Sequence, residues 1–225
     1  MMLLAIDTST DSAGLALVQD GRTLAEATWR CGQNHSVELL PHLTQLLKET
    51  GVELKEISCV LVAKGPGSFN GLRVGLSTAK GLAFSLGIPI IGVSSLELEA
   101  CQHAETDLPI CPVFNARRGE IATALYQKRD NKWQQLAAEH ITTVEALDSE
   151  ITEKTLFCGE YVPTIASQLK ERLKDKAVIA PARPRRAGLM AELAKERLEA
   201  EDYDNPATLQ PLYLRRPVIT QRRHR

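Results

Sequence analysis

Gly65-Pro66-Gly67-Ser68-Phe69-Asn70-Gly71 joins two apolar runs of different rhythm. The run before it, Cys59-Val60-Leu61-Val62-Ala63, is continuous and rich in β-branched residues, which suits a strand buried on both faces. In the run after it, apolar residues recur at Leu72, Leu76, Ala79, Ala83 and Leu86, the spacing of a helix over 72–86. The seven residues are therefore a glycine-rich turn from a strand into a helix. Such a turn has two readings. It allows a sharp change of direction, or its amides at Gly65, Gly67 and Ser68 face an anion above the helix N-terminus. No Gly-Lys-Ser/Thr follows, so it is not a P-loop, and Asn70 stands where G-x-G-x-x-G needs its last glycine. The helix itself is crowded with small residues, including Gly75 and Gly81. An interior glycine costs a helix about 1 kcal/mol relative to alanine. Close packing is the natural compensation, either inside the domain or against another subunit.

Toward the N-terminus, apolar runs at 3–6, 13–19 and 22–29 read as strands. Asp20-Gly21 between the last two signals a hairpin, because a type I′ turn needs positive φ at both positions. Residues 36–50 read as a helix with Leu39, Leu40, Leu43, Leu46 and Leu47, closed by Gly51. Pro41 inside it predicts either a start near Leu40 or a kink. After the glycine turn and its helix, 89–93 reads as a strand, and Ser95 as the cap of a helix over 96–103. The same order recurs without the same sequence. Strands fall at 110–114, 121–126 and 133–141, then a helix at 144–151. A strand at 155–158, a helix at 163–173, a strand at 177–179 and a helix at 186–198 complete it. The expectation is an α/β protein of two related lobes, 1–103 and 104–200, followed by a segment and basic tail, 201–225. Two lobes of this order are the arrangement of ribonuclease H-like, actin-like proteins.

The chain has 225 residues, 44% of them hydrophobic but only 4% aromatic, so the core is expected to be aliphatic. A net charge of −1 gives the surface no general attraction for nucleic acid. Basic residues cluster only locally, in Arg183-Pro184-Arg185-Arg186, Arg215-Arg216 and Arg222-Arg223-His224-Arg225. The last cluster reads as a solvated tail or a phosphate contact. No apolar run approaches the ~20 residues of a membrane span. The start reaches Asp7 too early for a signal peptide, so a cytoplasmic protein is expected. Five scattered cysteines with no C-x-x-C pair fit reduced, mostly buried thiols better than disulfides or zinc.

Five motifs occur in one order: Ala5-Ile6-Asp7-Thr8-Ser9-Thr10, His35-Ser36 before Leu39-Leu40-Pro41, the glycine turn with Leu72-Arg73-Val74-Gly75, Gly92-Val93-Ser94-Ser95-Leu96, and Asn115-Ala116-Arg117-Arg118-Gly119-Glu120. Together, over roughly residues 2–126, they resemble the bacterial TsaB (YeaZ) family. The resemblance implies an actin-like fold without an activity of its own. It implies a partner role in making threonylcarbamoyladenosine at position 37 of tRNAs that read codons beginning with adenine. Such proteins pair with a catalytic TsaD-like homologue, are joined by a TsaE-like ATPase, and also form homodimers. ATP and metal would belong to those partners, and tRNA would be met only through the complex. Family contacts would run through the helices at 36–50 and 72–86. That makes Ser36, Leu39, Leu40, Leu43, Leu46, Leu47, Leu72, Gly75, Leu76, Ala79, Gly81 and Ala83 the interface candidates. Asn70 replaces the family's usual threonine and Asn115 its usual aspartate.

An actin-like enzyme clamps phosphates between an acidic turn in each lobe. Asp7, Thr8 and Ser9 are of the right kind for the first turn, or Asp7 is merely a cap. The matching acid of the second lobe is missing near Asn115, and no Gly-Gly pair exists to receive adenine. At best a weak nucleotide or anion site is expected at Asp7, Thr8, Ser9, Gly65, Gly67 and Ser68, with no catalytic and no metal-ligating residue. His35 and His42 lie two turns apart, ~10 Å, too far to share one ion. No G-x-S-x-G elbow supports a peptidase. The leading expectation is a non-catalytic partner subunit. The alternatives are an ATP-dependent small-molecule kinase or transferase of the actin-like class, and a peptidase acting on its homologue.

Overall fold

The structure is a computed structural model and describes residues 1–130 and 132–215. The tail cluster beyond Arg215 lies outside the described residues. The chain forms β1 (Met2–Asp7), β2 (Ser12–Gln19), β3 (Arg22–Arg30), α1 (His35–Thr50), β4 (Ile57–Gly65), α2 (Phe69–Leu86), β5 (Ile90–Ser94) and α3 (Ser95–Cys101). It then repeats the order with β6 (Ile110–Arg117), β7 (Glu120–Arg129), β8 (Lys132–Thr142), α4 (Leu147–Glu150), β9 (Thr155–Cys158), α5 (Val162–Leu173) and β10 (Ala177–Ile179). Two short helices, α6 (Met190–Leu193) and α7 (Lys195–Glu199), follow a 3₁₀ turn at Ala187–Leu189.

The two five-stranded sheets have one topology. The first runs β3-β2-β1-β4-β5 and the second, read from its other edge, β8-β7-β6-β9-β10. In each, three antiparallel strands are followed by two parallel ones. The repeat read from the sequence is thus present twice, as two ribonuclease H-like lobes. Asp20 and Gly21 turn the first hairpin with φ of 49° and 77°, as the Asp-Gly pair predicts. No helix among the described residues is long and apolar enough to cross a membrane.

The alternation of β1 and β4 assigns each residue a face. Leu4, Ile6, Val60 and Val62 pack under α1 and α2, with Leu39, Leu43, Leu46, Leu76, Ala79 and Ala83. Leu3, Ala5, Cys59, Leu61 and Ala63 point the other way. α3 lies between the lobes. Its Leu98 packs on the first sheet, while Leu96 and Ala100 pack on the second with Ile110, Phe114 and Tyr126.

Four expectations need correction. α1 starts at His35 and continues through Pro41. Ser94, not Ser95, caps α3, its hydroxyl accepting from the Glu97 amide, while Ser95 is buried and accepts from the Gly65 amide. The helix expected over 144–151 is a single turn, α4. The helix expected over 186–198 is broken into three short turns, and it does not pack on the second lobe. Ala187, Met190, Ala191 and Ala194 cover the second face of the first sheet, against Leu3, Ala5 and Leu61. The order of elements could not show this, because the chain crosses back between lobes at Arg183-Pro184-Arg185-Arg186. Residues beyond 200 stay with the first lobe too. Asp204 bridges to Ile90 on β5, and the Leu212 amide donates to the Lys64 carbonyl.

Candidate functional site

The loop after β1 and the glycine turn after β4 fit into each other. A side-chain carbon built on Gly67 would lie 2.1 Å from the Ser9 carbonyl oxygen. One on Gly71 would lie 2.1 Å from the Thr8 carbonyl oxygen, and one on Gly75 2.2 Å from Thr8 Oγ1. The three glycines, four residues apart, form a groove on one side of α2 that seats the loop. Polar contacts fasten it. The Ser68 amide donates to the Ser9 carbonyl at 2.6 Å, and Thr8 Oγ1 donates to the Gly71 carbonyl at 2.8 Å. His35, 3% exposed, donates from Nε2 to the Thr10 carbonyl at 2.7 Å, which fixes that ring nitrogen as the protonated one. The glycine turn therefore turns its amides inward. Gly65 donates to Ser95 and Gly71 to Ser68 Oγ. Of the six residues expected to hold an anion, Asp7, Ser9 and Ser68 are bonded to one another and Gly67 abuts Ser9, while Thr8 bonds to Gly71 and Gly65 to Ser95.

Asp7 is equally occupied. Its Oδ1 accepts from the Ser9 amide and hydroxyl, at 2.9 and 2.6 Å. Its Oδ2 accepts from Arg185 Nε at 2.7 Å. Arg185, which sequence reasoning left in a basic surface cluster, is 5% exposed. Its Nη2 donates to Ser9 Oγ at 3.1 Å and Thr10 Oγ1 at 2.8 Å, and Nη1 reaches Glu99 Oε2 at 3.5 Å. The guanidinium lies 5.1 Å from the centre of the Phe114 ring in the second lobe. Burial works against its charge, but Asp7 and Glu99 outweigh burial and hold it firmly protonated. Burial pushes the Glu99 carboxyl up, and Arg185 only partly reverses this. No local pattern could have found the pair, since 178 residues separate its members.

Between the lobes lies an open cleft of about 1230 Å³. Ser9 to Ser12, Pro66 to Asn70, Asn115 to Arg118 and Ala180 to Pro184 line it. Arg117 and Arg118 turn the β6–β7 hairpin with positive φ, 64° and 56°, and the Asn115 side chain holds that turn by accepting from the Arg117 amide at 2.8 Å. Asn115 thus shapes the cleft mouth without supplying a carboxylate. The cysteines carry no activated thiol: burial pushes Cys59, Cys101 and Cys111 up to about 12.

A family model described as TsaD, tRNA N6-adenosine threonylcarbamoyltransferase, matches residues 30–221. The tRNA threonylcarbamoyladenosine biosynthesis protein TsaB of Bacillus subtilis (strain 168) is 36% identical over 220 residues, covering 96% of this chain and 94% of its own. The chain belongs to the TsaB family. The TsaB protein of Escherichia coli (strain K12) is 30% identical over 194 residues, 81% of this chain and 82% of its own. Among solved structures, YeaZ from Pseudomonas aeruginosa superposes with a TM-score of 0.80 at 27% identity, over 95% of this chain and 99% of that one.

Most interface candidates of this TsaB-family chain turn out to be core. Leu39, Leu43, Leu46, Leu72, Leu76, Ala79 and Ala83 are each at most 3% exposed, because they are the faces that α1 and α2 turn to the sheet. Gly75 is buried against Thr8, so its compensation is internal. Leu47 is half-buried, while Ser36, Leu40 and Gly81 are exposed. Two exposed apolar residues of these helices, Val37 and Phe84, were not among the candidates, whereas Leu40 was. Phe84 is 85% exposed, Val37 71% and Leu40 53%. Nothing lies within 4 Å of the position a Gly81 side chain would take. No periodicity marks these exposed residues, because the apolar stripe of each helix is its buried leucine and alanine face.

Proposed function

We propose that this chain is a non-catalytic partner subunit in the threonylcarbamoylation of adenosine 37 in tRNAs reading codons that begin with adenine. In this reading it pairs with a TsaD-like homologue, a TsaE-like ATPase joins the pair, and those partners use the ATP and metal. Alone it forms a homodimer through the same surface, and it meets tRNA only within the complex. The observation that carries the reading is the engagement of Asp7. Both oxygens of the one acid suited to a phosphate clamp are bonded to Ser9 and Arg185 inside the fold. A second support is exposed apolar surface on these two helices: Val37 and Leu40 near the start of α1 and Phe84 near the end of α2 lie open, as does the space around Gly81. Large apolar side chains left exposed on two neighbouring helices suit a contact with another protein.

Val37→Glu and Phe84→Glu test it, since both positions are exposed and spare the core. Each variant is expected to keep its circular dichroism, to run as a monomer, and to lose the TsaD-like partner in native mass spectrometry. Addition of either should leave a reconstituted modification reaction without product. Normal pairing by both variants would move the interface elsewhere. ATP turnover by the chain alone, surviving repurification and vanishing in Asp7→Ala, would favour the kinase or transferase reading.

A further inference from the structure

Glu99 and His103 are four residues apart, on α3 and in the turn that prolongs it, where side chains share one side of a helix. Cys158 ends β9 of the other lobe. One ligand atom from each of the three lies within 4.8 Å of the others. Glu99 and Cys158 are 4% and 2% exposed, and His103 is half-buried, leaving an approach from one side. We propose that Glu99, His103 and Cys158 bind one Zn²⁺ ion, which pins α3 of the first lobe to the second sheet.

The donor set selects the metal. A thiolate, an imidazole and a carboxylate suit Zn²⁺ and its transition-metal neighbours, whereas Mg²⁺ and Ca²⁺ take oxygen ligands alone. Bond lengths of about 2.0–2.3 Å put tetrahedral ligands roughly 3.5 Å apart, so atoms now within 4.8 Å of one another close in by about 1.3 Å at most. Three protein ligands leave a fourth position for water.

Charge points the same way. Asp7 and Glu99 both pair with the single guanidinium of Arg185, and Glu160 on the cleft wall is near enough to feel it. Three carboxylates thus share one cation, and a second positive centre beside Glu99 balances them. Glu99 is already oriented for this. Gln102 Nε2 donates to Oε1 at 3.2 Å and Arg185 to Oε2 at 3.5 Å, while each oxygen keeps a further lone pair. On binding, the Cys158 S–H bond breaks, a Zn–S bond forms and one proton leaves to solvent. Affinity therefore rises about tenfold per pH unit while the thiol is protonated.

The test uses the full chain, stripped with a chelator and kept reduced. Cobalt titration should reach one equivalent with a thiolate-to-metal charge-transfer band, and zinc should displace it. Cys158→Ser should remove that band, and His103→Ala should weaken zinc binding at least roughly tenfold. Cys101→Ser should change neither. Zinc should raise the thermal midpoint of the wild type more than that of His103→Ala. His103 is half-buried, so that variant keeps the test alive if Cys158→Ser fails to fold. Absence of one-to-one binding, a thiolate band that survives Cys158→Ser, or zinc stabilisation undiminished in His103→Ala would overturn the proposal.

Discussion

Arg185 touches Asp7, Ser9, Thr10 and Glu99 through its three nitrogens, with almost no solvent in reach. Arg185→Met keeps the volume but leaves two buried acids without a cation. Breaking such a pair typically costs about 3–5 kcal/mol, and urea unfolding of the purified chain should show a loss of that size. Adding Asp7→Asn and Glu99→Gln should recover part of it, because the strain lies in the stranded charges. If Arg185→Met is as stable as the wild type, the pair is not what holds the loop after β1. Asp7 was legible in the sequence as an acid at a strand end, but its partner was not. Arg183-Pro184-Arg185-Arg186 looks like any basic surface stretch, and only the crossing between lobes turns one of its three arginines inward.

Among elements, α2 carries two interior glycines with opposite reasons. Gly75 is forced by Thr8, whereas Gly81 faces open space. Alanine should therefore act with opposite sign at the two positions. Gly81→Ala should stabilise by up to about 1 kcal/mol, the helix-propensity difference. Gly75→Ala should destabilise by roughly 1–3 kcal/mol, because the added carbon meets the Thr8 hydroxyl and must displace the loop. Denaturant midpoints of the two variants decide it, and equal effects would remove the groove from the account. Strands, helices and the Asp20-Gly21 hairpin were readable because period and turn chemistry are local. The glycine turn was readable as a turn, but what it admits comes from β1, some 60 residues earlier. The inner faces of α1 and α2 were mistaken for an interface for a related reason. Leucine spacing reveals that a helix has an apolar face, not whether a sheet or a partner covers it.

Over the whole molecule, the repeated order of elements was enough to read two lobes, and the structure has them. The path of residues 187–215 was not readable, because short turns at 187–199 have no strong period and pack by shape on a remote sheet. One of the ties that hold them is titratable. Asp204 accepts from the Gly92 amide at 2.7 Å and from Arg197 Nη1 at 3.1 Å. Burial opposes its charge, but these donors prevail and its pKa lies below the usual carboxylate value. A depressed folded pKa stabilises above the unfolded value, near 3.9, and that contribution is lost as pH falls through the folded one. Protection of the Gly92 amide, its exchange rate relative to the intrinsic rate at the same pH, should therefore fall as the pH drops below about 4, and Asp204→Asn should flatten that dependence. An unchanged acid limb in the variant would assign the tie to Arg197 and the backbone alone.

The return of residues 187–198 also sets an order of events on the ribosome. The five strands of the first sheet leave the exit tunnel early, yet the face of Leu3, Ala5, Ala16, Val18, Leu61 and Ile91 is covered only in part, by Leu98 of α3, until Ala187, Met190 and Ala194 have been made. During that interval the second lobe is synthesised in full. The half of the protein that is first to be translated is consequently the last to close, and a chain cut short anywhere before residue 187 exposes an aliphatic sheet that chaperones and proteases recognise.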